Sequence, residues 1–569
     1  GNLRFFFMDY SELVDVYEQL GKTAGRLDKT VILAEFFKKV AKKGNSKWLY
    51  LLYGKVLPDY DSREFGISRQ LVIKALASAY GISSESIEQK FRKIGDLGEI
   101  AESLYNERKQ SVLFKKKLTI DFVFDTLSKI IDIDGKGSVD RKIALISEIL
   151  ASASAKEAKY VARTLLADLR VGVAQGVIRD AMNSAFFGND SEMADKIEAA
   201  YDMANDISRV FDACAKGKKE LDKIGLEPGR PMNVMLAVKS ESIDEGFEVC
   251  GRPAAIEQKY DGFRMLINKK DGKITLFTRK LENVTAQFPD VVEAALKHVE
   301  AETFILDSEV VGFDSKTGKY KPFEAISQRI RRKYDIDKLV KELPVELDVF
   351  DVLYYNGKSC MGMPFHERRK IVEEIIDEQD MKIRPAVQII TDSDEKAQEF
   401  YEDALKIGEE GIMMKNLNAT YRQGRRVGYM VKVKPVSADL DLVIVGAEYG
   451  SGKRGGWLTS YIVACQSGDG LLEVGKVSSG LKEKEEEGTT YDEMTKLLKP
   501  LIISEEGNVV KVKAKVVVAV TYQNVQESSA YSSGFALRFP RISAYRPDKP
   551  LKEIATLADM NKEAKKAKR

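Results

Sequence analysis

Over the first 236 residues, apolar side chains recur at helical spacing. Leu33, Phe36, Phe37 and Val40 follow i, i+3, i+4, i+7, and Ile143, Ile146, Ile149 and Leu150 keep to one helical face in the same way. Strand-like alternation is scarce there, so an all-helical domain is expected over residues 1–236. The breaker cluster Glu227-Pro228-Gly229-Arg230-Pro231 suits a linker near its end. From 237 to 435 the texture changes to short β-rich runs at 264–268, 274–278, 304–313, 345–355 and 411–415, with helical stretches at 291–299 and 367–378. That mixture predicts an α/β domain whose strands are too irregularly spaced for a regular doubly wound sheet. Beyond Pro435 five strand candidates follow, at 442–447, 457–464, 471–477, 509–520 and 536–539, with glycine turns at 450–452 and 455–456. They predict a small β-barrel of the OB type over 436–569. The Lys/Ala-rich end, 561–569, reads as a frayed helix or a solvated basic tail. The fold class expected is therefore multidomain α+β.

Composition narrows the partners more than the fold. The chain has 569 residues, 44% hydrophobic and 31% charged, enough apolar material for about three cores under a charged surface. A net charge of +2 means that any nucleic acid must be held by local clusters of Lys and Arg. The four cysteines, Cys214, Cys250, Cys360 and Cys465, form no C-x-x-C pair, and only two histidines occur, so neither a structural zinc nor a histidine metal cluster is expected. Scattered thiols fit a reducing compartment. The chain opens on Gly1 without an apolar leader, and no apolar run approaches the roughly 20 residues of a membrane span. A cytoplasmic protein with no membrane partner is expected.

Polar residues of a particular kind cluster in the middle domain. The first segment is Glu257-Gln258-Lys259-Tyr260-Asp261-Gly262-Phe263-Arg264. Alone, its Lys-x-Asp-Gly reads equally well as a strand end entering an Asp-Gly turn. Four more segments follow: Asp307-Ser308-Glu309, Asp348-Val349-Phe350-Asp351, Glu410-Gly411, and Met430-Val431-Lys432-Val433-Lys434, whose two lysines share one face of a strand. Singly, Phe350 reads as core, Glu309 as a strand-end acid, and Lys432 and Lys434 as a solvated face. Together, in this order, the five segments resemble the signature of the covalent nucleotidyltransferases, which comprise DNA ligases, RNA ligases and messenger-RNA capping enzymes.

The resemblance implies a role for each residue. Lys259 would be the nucleophile that takes a nucleotide. A lysine amine attacks only when neutral, and its ordinary pKa is about 10.4. Neighbouring cations and a bound metal are expected to lower it. Glu309 and Glu410 would hold Mg²⁺, with Mn²⁺ as the alternative ion. Phe350 would stack on adenine and Glu257 would read the base edge. Arg264 and Arg279 would face the nucleotide and the DNA 5′-phosphate, Arg426 the nucleotide, and Lys432 and Lys434 the α-phosphate. Where the family often has Trp, Met430 stands.

Within that superfamily the chain resembles the ATP-dependent DNA ligases of the archaeal and eukaryotic replicative type. Ala536-Leu537-Arg538-Phe539-Pro540-Arg541-Ile542, followed by Arg546-Pro547-Asp548-Lys549, is similar to their last motif. It implies that Arg538, Arg541, Asp548 and Lys549 orient pyrophosphate from a domain that later swings away. Arg26-Leu27-Asp28-Lys29-Thr30 and Leu169-Arg170-Val171-Gly172-Val173-Ala174-Gln175 resemble parts of their helical DNA-binding domain, and residues 231–237 resemble the junction behind it. Gly172 and Gly176 would allow close approach to phosphates. The four-cysteine zinc finger of NAD-dependent ligases is missing, so ATP is the expected AMP donor. The partner implied is nicked duplex DNA in replication, repair and recombination, bound by a monomer. Gln110-Ser111-Val112-Leu113-Phe114 resembles the string with which archaeal ligases dock on the sliding clamp. The alternative is an RNA ligase or a capping-type guanylyltransferase.

Overall fold

A computed structural model of the chain describes residues 8–41, 46–61, 63–108, 117–424, 427–435, 439–451, 454–468, 470–483 and 488–566. Helices fill the described part of the first 221 residues, from Tyr10–Gly21 to Lys218–Leu221. Their starts carry oxygen side chains that accept from the free amides of the first turn. Ser68, Asp96, Thr119 and Asp206 do this singly, and Ser154 forms a reciprocal pair with Glu157. One apolar core joins them. Leu33, Phe36, Phe37, Val40, Ile146, Ile149 and Leu150 are buried in it, and Phe36 and Phe37 pack their rings around Trp48.

The two short strings of this domain meet in space although 142 residues separate their contacting members. Lys29 Nζ, on the helix Arg26–Val40, donates to the carbonyls of Val171 at 2.9 Å and Gly172 at 3.0 Å. Arg26 pairs with Asp180 at 2.8 Å. Gly172 has φ +62°, and a Cβ built there would lie 2.4 Å from Lys29 Nζ. Gly176, by contrast, sits in the helix Gln175–Phe187 and is not among the positive-φ glycines. Gly172→Ala is expected to cost about 1–3 kcal/mol of stability, since it forces a side chain into a left-handed conformation. Denaturant unfolding of the full chain checks this, and an unchanged midpoint would contradict it.

The middle of the chain folds into two sheets. One has the strand order Val238–Ser240, Met430–Val433, Gly411–Lys415, Ala254–Lys259, Gln388–Thr391. The other runs Lys273–Thr278, Phe263–Lys270, Phe304–Phe313, Val345–Tyr355, Lys358–Ser359, with Tyr320–Lys321 and Ile383–Pro385 at its margins. Alternation decides what each face does. In the first sheet Ile256, Ile412, Met414, Val431 and Val433 pack against the helices Ile243–Cys250 and Asp394–Lys406. Their neighbours in register, Glu257, Met413 and Lys432, take the opposite face. The second sheet buries its outer face under the helices Pro289–His298, Phe323–Arg331 and Phe365–Ile375. The inner faces thus bound a cleft whose lining is polar by period, not by chance. Met232, Val234, Met235 and Leu236 pack with Leu266, Phe277, Ile305 and Leu353 of the second sheet. These junction residues belong to the packing of the middle domain, so its core begins upstream of the boundary at 236.

The C-terminal part is β-rich, as expected, but with more strands than the five runs. The run at 509–520 divides into Val509–Val512 and Val517–Thr521, which pair in succession along the same edge of Asp439–Tyr449. Ile502–Glu506, Asn524–Glu527 and Arg541–Tyr545 were not legible as strands, because charged and polar residues interrupt their alternation. The basic end corrects another expectation. Leu557–Lys566 is a helix docked on the sheet, with Met560 and Ala564 buried in its core. Met560 and Ala564 stand one turn apart, and Tyr522 donates to Glu563 between them at 3.0 Å.

Candidate active site

Lys259 ends the strand Ala254–Lys259, opposite Gly411. Its ammonium pairs with Glu410 Oε2, the same oxygen that Lys434 contacts at 2.9 Å. Burial alone would push Lys259 down, but the Glu410 carboxylate reverses the sign and holds it above the ordinary lysine range. Burial would raise Glu410, yet Lys259 and Lys434 hold it well below the ordinary carboxylate range. The lowered lysine expected at position 259 is found instead at Lys432. There burial and the ammoniums of Lys549, Lys434 and Lys259 act in one direction. In the protein without nucleotide, Lys259 stands against Glu410 as an ion pair.

The opposite sheet supplies the other wall. Glu309 lies in register with Arg264 and with Asp348. The Glu309 side chain forms no hydrogen bond or ion pair with the described residues, and burial lifts its carboxyl to about 7 against the pull of Lys259, Arg264 and Arg279. Arg264 is spent differently from the role its motif implies. Its Nε and Nη2 donate to Asp307 at 2.8 and 2.6 Å and its Nη1 to the Met235 carbonyl at 2.7 Å. A guanidinium this buried must be paired, and the pairing leaves it behind Phe350, with its Cζ 5.4 Å from the ring centroid. Tyr421 completes the knot by donating to Asp307 at 2.7 Å. Asp307, Met235 and Tyr421 had no role assigned from the sequence, since only the fold brings them together.

The C-terminal domain closes the cleft. Asp548 and Lys549, two of its four expected residues, are buried there, with Lys549 paired to Asp441 at 2.9 Å. Arg538 and Arg541 are exposed, because their side chains point off the strands Phe535–Arg538 and Arg541–Tyr545 to the outside. Their place is taken by Arg546, held by Asp548 at 3.0 Å and Asp441 at 3.6 Å, and near enough to act electrostatically on Lys259, Asp261 and Glu410. Arg279 crosses to the same domain through an ion pair with Glu553. Arg426 lies outside the described residues.

Two buried carboxyls predict a pH dependence. Burial raises Glu309 to about 7 and Glu409 to about 8, the latter although it accepts from the Asp261 amide at 2.8 Å. The folded chain therefore keeps protons that the unfolded chain releases above its ordinary carboxylate pKa. Where the native state binds more protons, stability falls as pH rises. These two groups are expected to lower the melting temperature of the ligand-free protein as pH climbs from near 4.5 through about 8, and Glu409→Gln to flatten the upper part. A difference between variant and parent that does not change across this window would contradict the assignment.

Three segments of the chain match families of one kind of enzyme. Residues 9–183 match "DNA ligase N terminus", 234–434 "ATP dependent DNA ligase domain" and 454–549 "ATP dependent DNA ligase C terminal region". A DNA ligase of Nanoarchaeum equitans is 47% identical over 555 residues, 97% of each chain. The chain belongs to the ATP-dependent DNA ligases. A DNA ligase of Thermococcus fumicolans is 41% identical over 553 residues, again 97% of each. Among solved structures, a mycobacterial DNA ligase D complexed with ATP and MES is 25% identical, covering 57% of this chain and 98% of that one at a TM-score of 0.37. The ligase thus joins nicked duplex DNA at the expense of ATP, and the RNA ligase and capping alternatives give way. Roles in replication and repair are typical of the family. No helix among the described residues is long and apolar enough to cross a membrane.

Proposed function

We propose that the ligase works through Lys259, which attacks the α-phosphorus of ATP, expels pyrophosphate and carries AMP to the 5′-phosphate of a nick. The 3′-hydroxyl then displaces AMP. The observation that carries this reading is the convergence on one amine of Glu410, Lys434, Lys432 and Arg546, drawn from the C-terminal end of the middle domain and from the domain that follows it. Cations already fixed where phosphate charge develops stabilise it without reorganisation. Lys432 and Lys434 face the α-phosphate, Arg279 the nucleotide or the 5′-phosphate, and Arg546 with Lys549 the departing pyrophosphate. Phe350 is the platform for adenine and Glu257 the reader of its edge. Arg426 keeps the nucleotide-facing role its motif implies. The domains divide at 236/237 and 435/436, apart from the junction residues above. The four cysteines are buried and free, in keeping with a reducing cytoplasm. The clamp-docking string at 110–114 lies outside the described residues and keeps its proposed role on sequence grounds.

The donor set fits Mg²⁺. Glu309 offers a buried carboxylate that no described side chain satisfies, across from Glu410. No group of three metal-binding side chains occurs among the described residues, and Mg²⁺ does not need one, since it takes one or two carboxylates and completes its shell with water and phosphate oxygens. Bound there, it would neutralise charge on the α-phosphate and compete with Lys259 for Glu410. The test is incubation with labelled ATP, then with a nicked duplex. An acid-stable adduct and sealing are expected with Mg²⁺ and neither with a chelator. Adduct formation at full rate in the chelator would remove the metal from this reading.

A further inference from the structure

Lys415 is a buried charge in the cleft that the steps above leave without a task. It ends the strand Gly411–Lys415 and shares the cleft-facing side with Met413. Only 4% exposed, it pairs its ammonium with the carboxylate of Glu257 and sets it 4.3 Å from the ring centroid of Phe350 and 5.1 Å from that of Phe365. Glu257 is 2% exposed and is held from its other side as well. Gln388 Nε2 donates to its Oε1 at 2.9 Å, and Arg369 stands 3.7 Å away.

We propose that Lys415 sets the base preference of the adenylation step, a reading that rests on Phe350 as base platform and Glu257 as edge reader. A carboxylate with an ammonium against it accepts hydrogen bonds and donates none. The exocyclic amine of adenine offers it an N–H. The C6 oxygen of guanine or hypoxanthine offers only lone pairs, which a fixed carboxylate repels. Without Lys415 the carboxylate is held only through the oxygen that meets Gln388 and Arg369, so the oxygen that would face the base is no longer fixed. Lys415 also reads directly. Its ammonium stands on the ring face where a base would stack, so an arriving base displaces it toward the base edge, and its flexible stem allows the move. There it donates to N1, which is an acceptor in adenine and an N–H in guanine.

The test is the ratio of kcat/KM for adduct formation with ATP, GTP and inosine triphosphate, on the full chain. The unsubstituted protein is expected to favour ATP. Lys415→Met and Lys415→Gln are expected to lower the ATP-to-GTP ratio at least about tenfold, because a site built on hydrogen bonds loses its discrimination with them, while Lys415→Arg keeps it within about threefold. With the unsubstituted protein, 1-deaza-ATP, which lacks the N1 acceptor, is expected to be at least about tenfold poorer than ATP. That measurement needs no variant to fold. An unchanged ratio in Lys415→Met or Lys415→Gln, an equal fall in Lys415→Arg, or equal use of 1-deaza-ATP overturns the proposal. If the unsubstituted protein shows no preference among the three triphosphates, the reading of Glu257 and Phe350 is what fails.

Discussion

Lys259→Ala is expected to abolish the acid-stable AMP adduct and to lower sealing from ATP by about 10⁴-fold or more, the scale on which enzymes lose a covalent nucleophile. Lys259, at the end of the strand Ala254–Lys259, and Lys434, at 2.9 Å, both pair with Glu410, so Lys434 can retain the carboxylate that Lys259 gives up. The same arrangement protects the fold. Removing Lys259 leaves Glu410 paired with Lys434, so the melting temperature should move by only a few degrees. Pre-adenylated nicked DNA bypasses the missing amine and should still be sealed. Labelling with ATP and single-turnover sealing of the two substrates separate these outcomes. An adduct that survives the substitution would overturn the assignment.

Arg546→Ala is expected to slow adduct formation by about 10²–10³-fold, the cost of losing one fixed charge in a water-poor site, and to leave sealing of pre-adenylated nicks nearly unchanged. The asymmetry follows from where Arg546 is anchored. Asp441 and Asp548, both in the C-terminal domain, hold it over Lys259 and Glu410. Ion pairs such as Arg279 with Glu553 and Arg331 with Glu493 hold that domain against the rest of the chain in a closed arrangement. A cation that reaches the cleft only in this closed arrangement serves the step before DNA arrives. Equal loss in both steps would show that Arg546 acts beyond adenylation. Arg538→Ala, whose side chain is exposed, should have a far smaller effect on the adduct.

Lys259, Glu309, Glu410, Lys432 and Lys434 were singled out before any fold was known, by the order of five segments and their resemblance to a known signature. Lys432 and Lys434 stand two apart on a strand whose valines face the helices, and that alternation alone puts the lysines in the cleft. Arg546 lay in a quoted string yet went unassigned in favour of Arg538 and Arg541, because a list of arginines does not say which faces inward.

What the sequence determined by itself is a set of candidates: a lysine, two acids and two further lysines at period-two positions, which local backbone geometry places on one side of a strand. The change from helical to strand spacing near residue 237 marked the class of each domain for the same reason. Only the tertiary structure decided how the charges pair. Arg264 meets Asp307 43 residues away, and Lys415 meets Glu257 across neighbouring strands. Those contacts turn a nucleotide arginine into a brace and a strand-end lysine into a candidate base reader. The pairing of Lys259 with Glu410 likewise reverses the sign expected for that lysine, and no spacing along the chain contains that contact.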